Sequence, residues 1–313
     1  MRITVLAGGV GGARFLRGVR AACPSDELTA IVNTGDDVTL HGLRICPDLD
    51  SVMYTLGEAH DHERGWGRRD ETWRIRGELD QYGAEPKWFG LGDLDIATHL
   101  VRTRMLDAGY PLSQVTAALC ERWRPGVRLL PMSDDRCETH VVVDLDGERR
   151  AFHFQEWWIR HRAAPAPRAF VQVGVDEAAP APGVLDAIAS ADAVLVAPSN
   201  PVVSIGTILG VPGIRDAVGN GPAPVVGLAP IIGGAPVRGM ADACLQAIGV
   251  EVSAEGVGRH YGARNEGGLL DGWLIHDTDR ADVPGVMVRA VPLLMSDDDA
   301  TAAMVHAALE LAK

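Results

Sequence analysis

The chain has 313 residues, of which 47% are hydrophobic, and its formal net charge is −13. A chain of this length and composition can bury a large core without disulfide bonds or structural metal ions. The acidic balance excludes a broad nucleic-acid surface, because such a surface carries clustered lysine and arginine. An anionic small ligand would therefore be bound by backbone N–H groups and a metal ion.

Cysteine spacing and the N-terminal sequence indicate a reduced, soluble protein. The five cysteines are widely spaced and form no CxxC pair, which argues against zinc and redox motifs. The first apolar run is short, and no segment reaches the ~20 apolar residues of a membrane span. We therefore expect an uncleaved, cytoplasmic protein without membrane contact.

The first predicted element is a buried strand over residues 3–7, followed by a glycine-rich loop and a helix that begins near Ala13. The loop glycines are Gly8, Gly9, Gly11 and Gly12. Free N–H groups at the start of such a helix bind phosphate. No Gly-Lys-Ser/Thr sequence follows, which excludes a Walker A loop. Arg14 occupies the place of a third fingerprint glycine, so it either contacts a phosphate or is a solvated residue near the helix cap.

Two aspartate clusters follow the second predicted strand, residues 28–32. Their carboxylates belong to Asp36, Asp37, Asp48 and Asp50. Open α/β sheets bind ligands beyond the carboxyl ends of their strands. Mg²⁺ takes one or two carboxylates together with phosphate oxygens. We therefore predict a magnesium site here, with turn residues and helix caps as the alternative interpretation of each aspartate.

A mainly helical insertion is predicted for about residues 51–125, with Ser113 as the N-cap of one helix. Asp93 or Asp95 could cap another helix of this segment. A β-hairpin is predicted for residues 139–154, because Asp-Gly at its centre suits a type I′ turn.

Two tryptophans, Trp157 and Trp158, follow the hairpin. They could stack a flat ring, although aromatic residues in such positions more often belong to the core.

Two further buried strands are predicted for residues 193–197 and 225–228. The first ends in a Pro-Ser-Asn-Pro turn, in which Ser199 and Asn200 either bond a ligand or only form the turn. An amphipathic helix over residues 299–311, behind Ser296 or Asp297, closes the chain. The pattern predicts an α/β fold with a Rossmann-like three-layer core, organised as a single domain over residues 1–313.

Two hydrolase classes lack their motifs. The histidines show no HExxH spacing, and Ser199 is not part of a GxSxG elbow. A zinc hydrolase and a serine esterase are therefore unsupported.

A series of motifs resembles the 2-phospho-L-lactate transferase family, in order and over essentially the whole chain. The motifs are LAGGVGGAR (6–14), NTGDD (33–37), PDLD (47–50), LGD (91–93), LPMSDD (130–135), HFQEWW (153–158), PSNP (198–201) and PIIG (230–233). The chain is most similar to the actinobacterial type, the phosphoenolpyruvate transferases of coenzyme F-420 biosynthesis.

The resemblance implies a reaction between two substrates. The donor would be a guanosine diphosphate carrying a three-carbon acid, either enolpyruvyl or lactyl. The acceptor would be the ribityl hydroxyl of the deazaflavin Fo, 7,8-didemethyl-8-hydroxy-5-deazariboflavin, and GMP would leave. Positioning and charge stabilisation dominate catalysis of such a transfer. The family also implies Mg²⁺ and a homodimer.

The resemblance also implies roles for individual residues. Asp36 would bind the metal and act in catalysis, with Asp37 and Asp48 as further metal ligands. Asp50 would contact Fo and share in catalysis. The glycine loop, Arg14, Asn33, Ser199 and Asn200 would bind the nucleotide.

Two departures from the family pattern concern single positions. Ala229 stands where serine commonly precedes Pro-Ile-Ile, and Gly90 stands where a lysine contacts Fo in some archaeal members.

Two other functions fit parts of the pattern. In a nicotinamide-dependent oxidoreductase, Asp36 would bond a ribose hydroxyl, but Arg14 and the second aspartate cluster do not suit that site. A non-catalytic nucleotide-sugar sensor of the same superfamily would need neither that cluster nor the paired tryptophans.

Overall fold

The computed structural model describes residues 1–313 as a mixture of strands and helices. The strands are β1 (Arg2–Ala7), β2 (Glu27–Val32), β3 (Val38–Leu40), β4 (Leu43–Ile45), β5 (Arg128–Pro131), β6 (Glu138–Leu145), β7 (Glu148–His153), β8 (Pro167–Val173), β9 (Ala193–Val196), β10 (Val225–Leu228), β11 (Ile231–Ile232), β12 (Ala235–Pro236), β13 (Gly272–Ile275) and β14 (Met287–Ala290). The α-helices are α1 (Gly9–Ala22), α2 (Pro47–Leu56), α3 (Arg74–Gln81), α4 (Asp93–Asp107), α5 (Leu112–Trp123), α6 (Val184–Ala189), α7 (Ile205–Gly210), α8 (Ile214–Asn220), α9 (Ala241–Ala247), α10 (Ala254–Tyr261) and α11 (Asp298–Leu311). None of the helices is both long enough and apolar enough to span a bilayer.

The central sheet has seven strands in the order β14-β13-β10-β9-β1-β2-β5, and every neighbouring pair is parallel. Chain order reverses between β1 and β9, and a crevice for ligands opens at the carboxyl ends of strands at such a point. Strands β1, β2, β9 and β10 are buried along almost their whole length, as in a sheet covered on both faces. The predicted Rossmann-like three-layer α/β core is confirmed.

Helices pack against this sheet around one core cluster of 64 buried residues. Helix α1 packs against α2 and α11, and α7 contacts β1 and α8. The approach of α1 to α11 is close at Gly18, where a Cβ atom would lie 2.2 Å from Thr301 Cγ2. Glycine at this position therefore sets the distance between the two helices.

Replacing Gly18 with alanine is expected to destabilise the protein by about 1–3 kcal/mol, because the added methyl group overpacks the α1–α11 contact. Gly77 in α3 provides the matched control, since no atom lies within 4 Å of its Cβ position. Gly77→Ala is expected to stabilise by roughly 0.5–1 kcal/mol through lower chain entropy. Urea unfolding measures both, and equal effects would contradict this account of the helix contact.

The predicted insertion, about residues 51–125, lies between β2 and β5 after the β3–β4 hairpin, and it contains most of α2 and helices α3 to α5. Within it, two carboxylates connect the starts of helices α3 and α4 by reciprocal capping. Asp93 accepts hydrogen bonds from the N–H groups of Arg74 and Ile75 at the start of α3, and Glu71 accepts from those of Leu94 and Asp95 at the start of α4. Asp93 thus caps a helix other than the one predicted.

A second, three-stranded antiparallel sheet has the order β7-β6-β8. The predicted hairpin is its β6–β7 pair, and positive φ at Asp146 (53°) and Gly147 (79°) agrees with the type I′ turn. Strand β8 was not predicted. Trp157 is fully buried in the small core beneath this sheet, beside Phe154 and Val203.

Two local expectations from the sequence are wrong. Helix α1 begins at Gly9 rather than near Ala13. Helix α5 begins at Leu112, so Ser113 is not its N-cap, and the N–H and hydroxyl of Ser113 donate to Asp134 instead. The segment 47–50 is the first turn of α2, where Pro47 occupies a first helical position at which no N–H bond is lost. The closing helix is confirmed, with Asp297 accepting from the Ala300 N–H.

Candidate functional site

A cavity of about 760 Å³ opens at the carboxyl ends of β1, β2, β9 and β10. Its walls come from the loops that follow these strands, from the insertion, and from the segments 237–241 and 293–295. The sheet topology places the crevice of a nucleotide-binding fold here, and a cavity of this size is ample for a large organic ligand.

The glycine segment forms one wall as the first turn of α1. Gly9 has a positive φ of 62°, and a Cβ atom at Gly8 would lie 2.7 Å from Ser204 Cβ. The Ser199 hydroxyl accepts from the Gly8 N–H at 3.1 Å and donates to the Gly8 carbonyl at 2.8 Å. Ser199 therefore fixes the turn that aims the free N–H groups of α1 into the cavity.

The other two glycines differ in position. Gly11 lines the cavity, and a Cβ atom there would lie 3.3 Å from the Pro198 carbonyl oxygen. Gly12 does not line it. Its hydrogen lies against the core, since a Cβ atom would be 2.8 Å from Ser199 Oγ and 3.0 Å from Ala7 Cβ. Gly12 thus permits α1 to pack against β1.

Asp36 and Asp48 form a buried carboxylate pair on the cavity wall. Asn33 Nδ2 donates to Asp48 Oδ2 at 2.9 Å, whereas Asp36 Oδ1 is buried without any hydrogen-bond partner. Burial, followed by repulsion from Asp48, raises the pKa of Asp36 well above its ordinary value. Burial raises the pKa of Asp48 to about 6.

Such a pair fits a divalent cation. Two buried carboxylates repel each other unless a proton or a cation lies between them, and the unpartnered Asp36 oxygen has a lone pair to offer. No cluster of three or more His, Cys, Asp or Glu side chains suited to a metal is present. Mg²⁺ takes few protein ligands and completes its shell with water and phosphate oxygens, so two carboxylates suffice.

The other two predicted aspartates are engaged by arginine. Asp37 does not line the cavity; its Oδ2 lies 3.0 Å from Arg44 Nη2. Asp50 does line it, but its two oxygens accept from Nη1 and Nη2 of the fully buried Arg102. Asp37 is thus an ion-pair partner beneath the wall, and Asp50 is held in place with its charge compensated.

Both asparagines predicted to bind nucleotide use their side chains within the protein. Asn33 is fully buried and bridges the Gly35 N–H and Asp48. Asn200 lines the cavity, but its Oδ1 accepts from the N–H groups of Val202 and Val203. The two side chains therefore hold neighbouring groups of the site in position through hydrogen bonds within the protein.

An aromatic wall from the insertion also lines the cavity. Its members are Tyr54, Trp66, Trp73, Trp88 and Phe89. The rings of Trp66 and Trp73 meet edge to face at 6.1 Å, with the Arg64 guanidinium 5.1 Å from each ring. Of the paired tryptophans in the sequence, only Trp158 lines the cavity, stacked on Phe154 at 6.0 Å.

Sequence reasoning missed this aromatic wall, although a signal was present. Three of the seven tryptophans fall between residues 66 and 88, in a segment otherwise rich in charged side chains. Buried cores use tryptophan sparingly, whereas binding sites favour it. It also missed Arg238, which lines the cavity together with Arg14.

His60 lies near these two arginines. It is only 3% exposed, and neither ring nitrogen has a hydrogen-bond partner. Burial, and then the charges of His62, Arg14 and Arg238, lower the pKa of His60 to about 4. The imidazole is therefore neutral in the folded protein at physiological pH.

The contribution of His60 to the stability of the protein is expected to fall as pH drops from about 6.5, the ordinary histidine value, toward about 4, because the unfolded chain takes up a proton on His60 and the folded chain does not. Above about 6.5 His60 adds no pH dependence. His60→Gln should flatten this part of the profile, whereas His306→Gln on the exposed face of α11 should not. Thermal unfolding between pH 4 and 8 measures both, and parallel profiles for wild type and His60→Gln would contradict the assignment.

Comparisons with known proteins agree with the fold. Two crystal structures of one Bacillus halodurans protein, described in one case as a member of the UPF0052 family, match with TM-scores of 0.64 and 0.62 at 20% identity. Each match covers 98% of this chain and 99% of the other. At that identity the likeness concerns the fold alone.

Curated relatives are much closer in sequence. Proteins named phosphoenolpyruvate transferase are 65% identical in Nocardia farcinica, over 99% of this chain and 95% of the relative, and 61% identical in Mycobacterium avium, over 100% and 99%. One from Streptomyces griseus is 62% identical over 100% and 99%. The family model described as 2-phospho-L-lactate transferase CofD matches residues 3–289. The chain therefore belongs to the 2-phospho-L-lactate transferase family.

Proposed function

We propose that this transferase moves a phosphorylated three-carbon acid from its guanosine diphosphate-activated form to the ribityl hydroxyl of Fo, releasing GMP, in coenzyme F-420 biosynthesis. One observation carries the proposal. A single cavity combines the N-terminus of α1, the Asp36–Asp48 pair and the aromatic wall, and these suit a diphosphate, a divalent cation and a flat tricyclic ring.

The acid is proposed to be phosphoenolpyruvate. The relatives at 61–65% identity are named for that compound. The enolpyruvyl and lactyl forms differ by one double bond, which a pocket distinguishes by small differences in shape. Phospholactyl transfer is therefore the close variant to be tested beside it.

The protein is proposed to act through positioning and charge. The free N–H groups of α1 bind the diphosphate, and the aromatic wall stacks the ring of Fo so that its ribityl end points to the donor phosphorus. Asp36, whose Oδ1 has no hydrogen-bond partner in the protein, would accept the proton of the attacking hydroxyl. Asp50, fixed by Arg102, orients the acceptor.

Asp36 and Asp48 would hold Mg²⁺. When bound, the cation would offset the repulsion between the diphosphate and the carboxylates of a chain whose net charge is −13.

Product mass tests the proposal directly. The purified protein would be mixed with Fo, Mg²⁺ and each guanosine diphosphate-linked acid, with and without EDTA. We expect a mass gain on Fo that requires the cation and is fastest with the enolpyruvyl donor. Guanine-nucleotide binding without any transfer would instead favour a non-catalytic nucleotide-sugar-binding regulator of the same superfamily.

The protein is further proposed to be a cytoplasmic homodimer that binds neither nucleic acid nor membrane. Light scattering after size-exclusion chromatography measures the mass in solution, and one chain weighs 33.3 kDa. A particle of that mass would contradict the dimer.

A further inference from the structure

The arginines around the cavity fall into two groups. Arg44 and Arg102 are neutralised by Asp37 and Asp50, and their role is structural. Arg14 and Arg238 line the cavity, and neither has a carboxylate within 4.0 Å. Unpaired guanidinium groups on a concave wall are groups for binding an anion.

Arg14 and Arg238 line the same cavity and repel each other electrostatically. Burial, and then the charge of Arg14, lowers the pKa of Arg238, and both arginines act on the nearby His60. Two like charges held close together without a counter-ion repel each other. An anion between them would remove that repulsion.

Arg238 is also fixed in position. Its Nη2 donates to the Gly65 carbonyl at 3.0 Å. A Cβ atom at Gly65 would lie 2.7 Å from both terminal nitrogens of Arg238, so the guanidinium lies directly against the backbone of the insertion. A fixed guanidinium loses less entropy when it binds a planar anion.

We propose that Arg14 and Arg238 bind the carboxylate of the three-carbon acid on the donor. This assignment rests on the proposed function. The diphosphate already has the N-terminus of α1 and the cation held by Asp36 and Asp48, which leaves the carboxylate as the donor's remaining anionic group.

The rest of the cavity favours this assignment. The cavity is also lined by the carboxylates of Asp36, Asp48, Asp50 and Asp95, which would repel the acid. The remaining unpaired arginine, Arg76, lies beside Gly90 in the aromatic wall, with Nη1 3.8 Å from the Gly90 Cβ position. It therefore belongs with the acceptor.

The assignment has a consequence for substrate choice. Enolpyruvyl, lactyl and glyceryl donors all carry the carboxylate, so the arginine pair accepts all three and selects against neutral analogues. Discrimination among the three acids must come from other groups in the cavity.

A double comparison tests the contact. Binding would be measured by titration calorimetry, at fixed Mg²⁺ and salt, for guanosine diphosphate joined to lactate and for the matched compound joined to lactamide. We expect wild type to bind the carboxylate compound about 10–100-fold more tightly, as for a charged hydrogen bond. In Arg238→Gln the ratio of the affinities for the lactate and lactamide compounds should fall close to one. In Arg14→Gln it should fall to a value between one and that of wild type.

Arg215→Gln is the matched control, because Arg215 is an exposed residue of α8 outside the cavity. It should keep the wild-type ratio. A ratio unchanged in Arg238→Gln, or an equal loss for both compounds and for GDP itself, would overturn the assignment; the second result would mean that the pair binds the diphosphate. Transfer to Fo by wild type, run in parallel, decides the proposed function independently of this ratio.

Discussion

Replacing Asp36 with asparagine is expected to lower the rate of transfer to Fo by about 10²–10⁴-fold, the range associated with loss of a positioned acid–base group. The same change should make the ligand-free protein more stable at neutral pH. The pKa of Asp36 is raised by burial and by Asp48, so the ionised carboxylate is disfavoured in the folded state. Asparagine removes that penalty and fills the same volume.

The sign of the pH dependence follows from the raised pKa. An unfolded aspartate ionises near pH 3.9, so the contribution of Asp36 to the stability of the folded protein falls as pH rises above that value. The difference in Tm between Asp36→Asn and wild type in EDTA should therefore grow as pH rises from about 4. Asp216→Asn, at an exposed position of α8, serves as the control. Wild-type turnover in Asp36→Asn would remove Asp36 from the proton transfer, and a lower Tm would show that its carboxylate is not destabilising.

Replacing Arg102 with alanine is expected to destabilise the protein by about 3–5 kcal/mol. Arg102 is 1% exposed and donates through both terminal nitrogens to Asp50. Its removal leaves the Asp50 carboxylate buried, with only His99 Nδ1 at 3.7 Å as a potential cationic partner. The shift of the urea midpoint measures this loss.

An exposed ion pair provides the matched control. Arg289 Nη1 lies 2.6 Å from Glu310 Oε2, with side chains 43% and 56% exposed. Arg289→Ala should cost less than about 1 kcal/mol, because solvent screens such pairs. If Arg102→Ala lost no more than this control, the buried pair would not hold the wall of the cavity. Arg102→Lys, which keeps the charge, should lose less stability than Arg102→Ala.

The parts of the fold that could be predicted are those that a short stretch of sequence specifies by itself. Strands β1, β2, β9 and β10 are mostly apolar and almost wholly buried, and the β6–β7 turn has the Asp-Gly sequence that suits its positive φ angles. Strands β5, β13 and β14 were not predicted. Strands β5 and β14 each include an arginine and β13 begins with a glycine, so none of the three gives the continuous apolar run that marks β9.

The site could be predicted only in part, because ligand-binding and structural aspartates look alike in a sequence. Asp36 and Asp37 are adjacent, yet only Asp36 lines the cavity, while Asp37 pairs with Arg44. The distinction depends on Arg44, whose position is set by the β3–β4 hairpin. Likewise, Ser199 holds Gly8 across 191 positions of the chain, a contact that no local pattern reports.

The strand order of the central sheet also determines when the chain can fold during its synthesis on the ribosome. Of the seven strands of the central sheet, the first 131 residues supply only β1, β2 and β5. One edge of β1 therefore stays unpaired until β9 is synthesised. Pairing between parallel strands that are far apart in sequence is slow, and an unpaired apolar strand edge can associate with other chains. Because Ser199 lies just beyond β9, the glycine turn at Gly8 takes its final form late in synthesis. Ribosome-arrested chains that end before Ala193 are thus expected to bind no guanine nucleotide and to depend on chaperones for solubility.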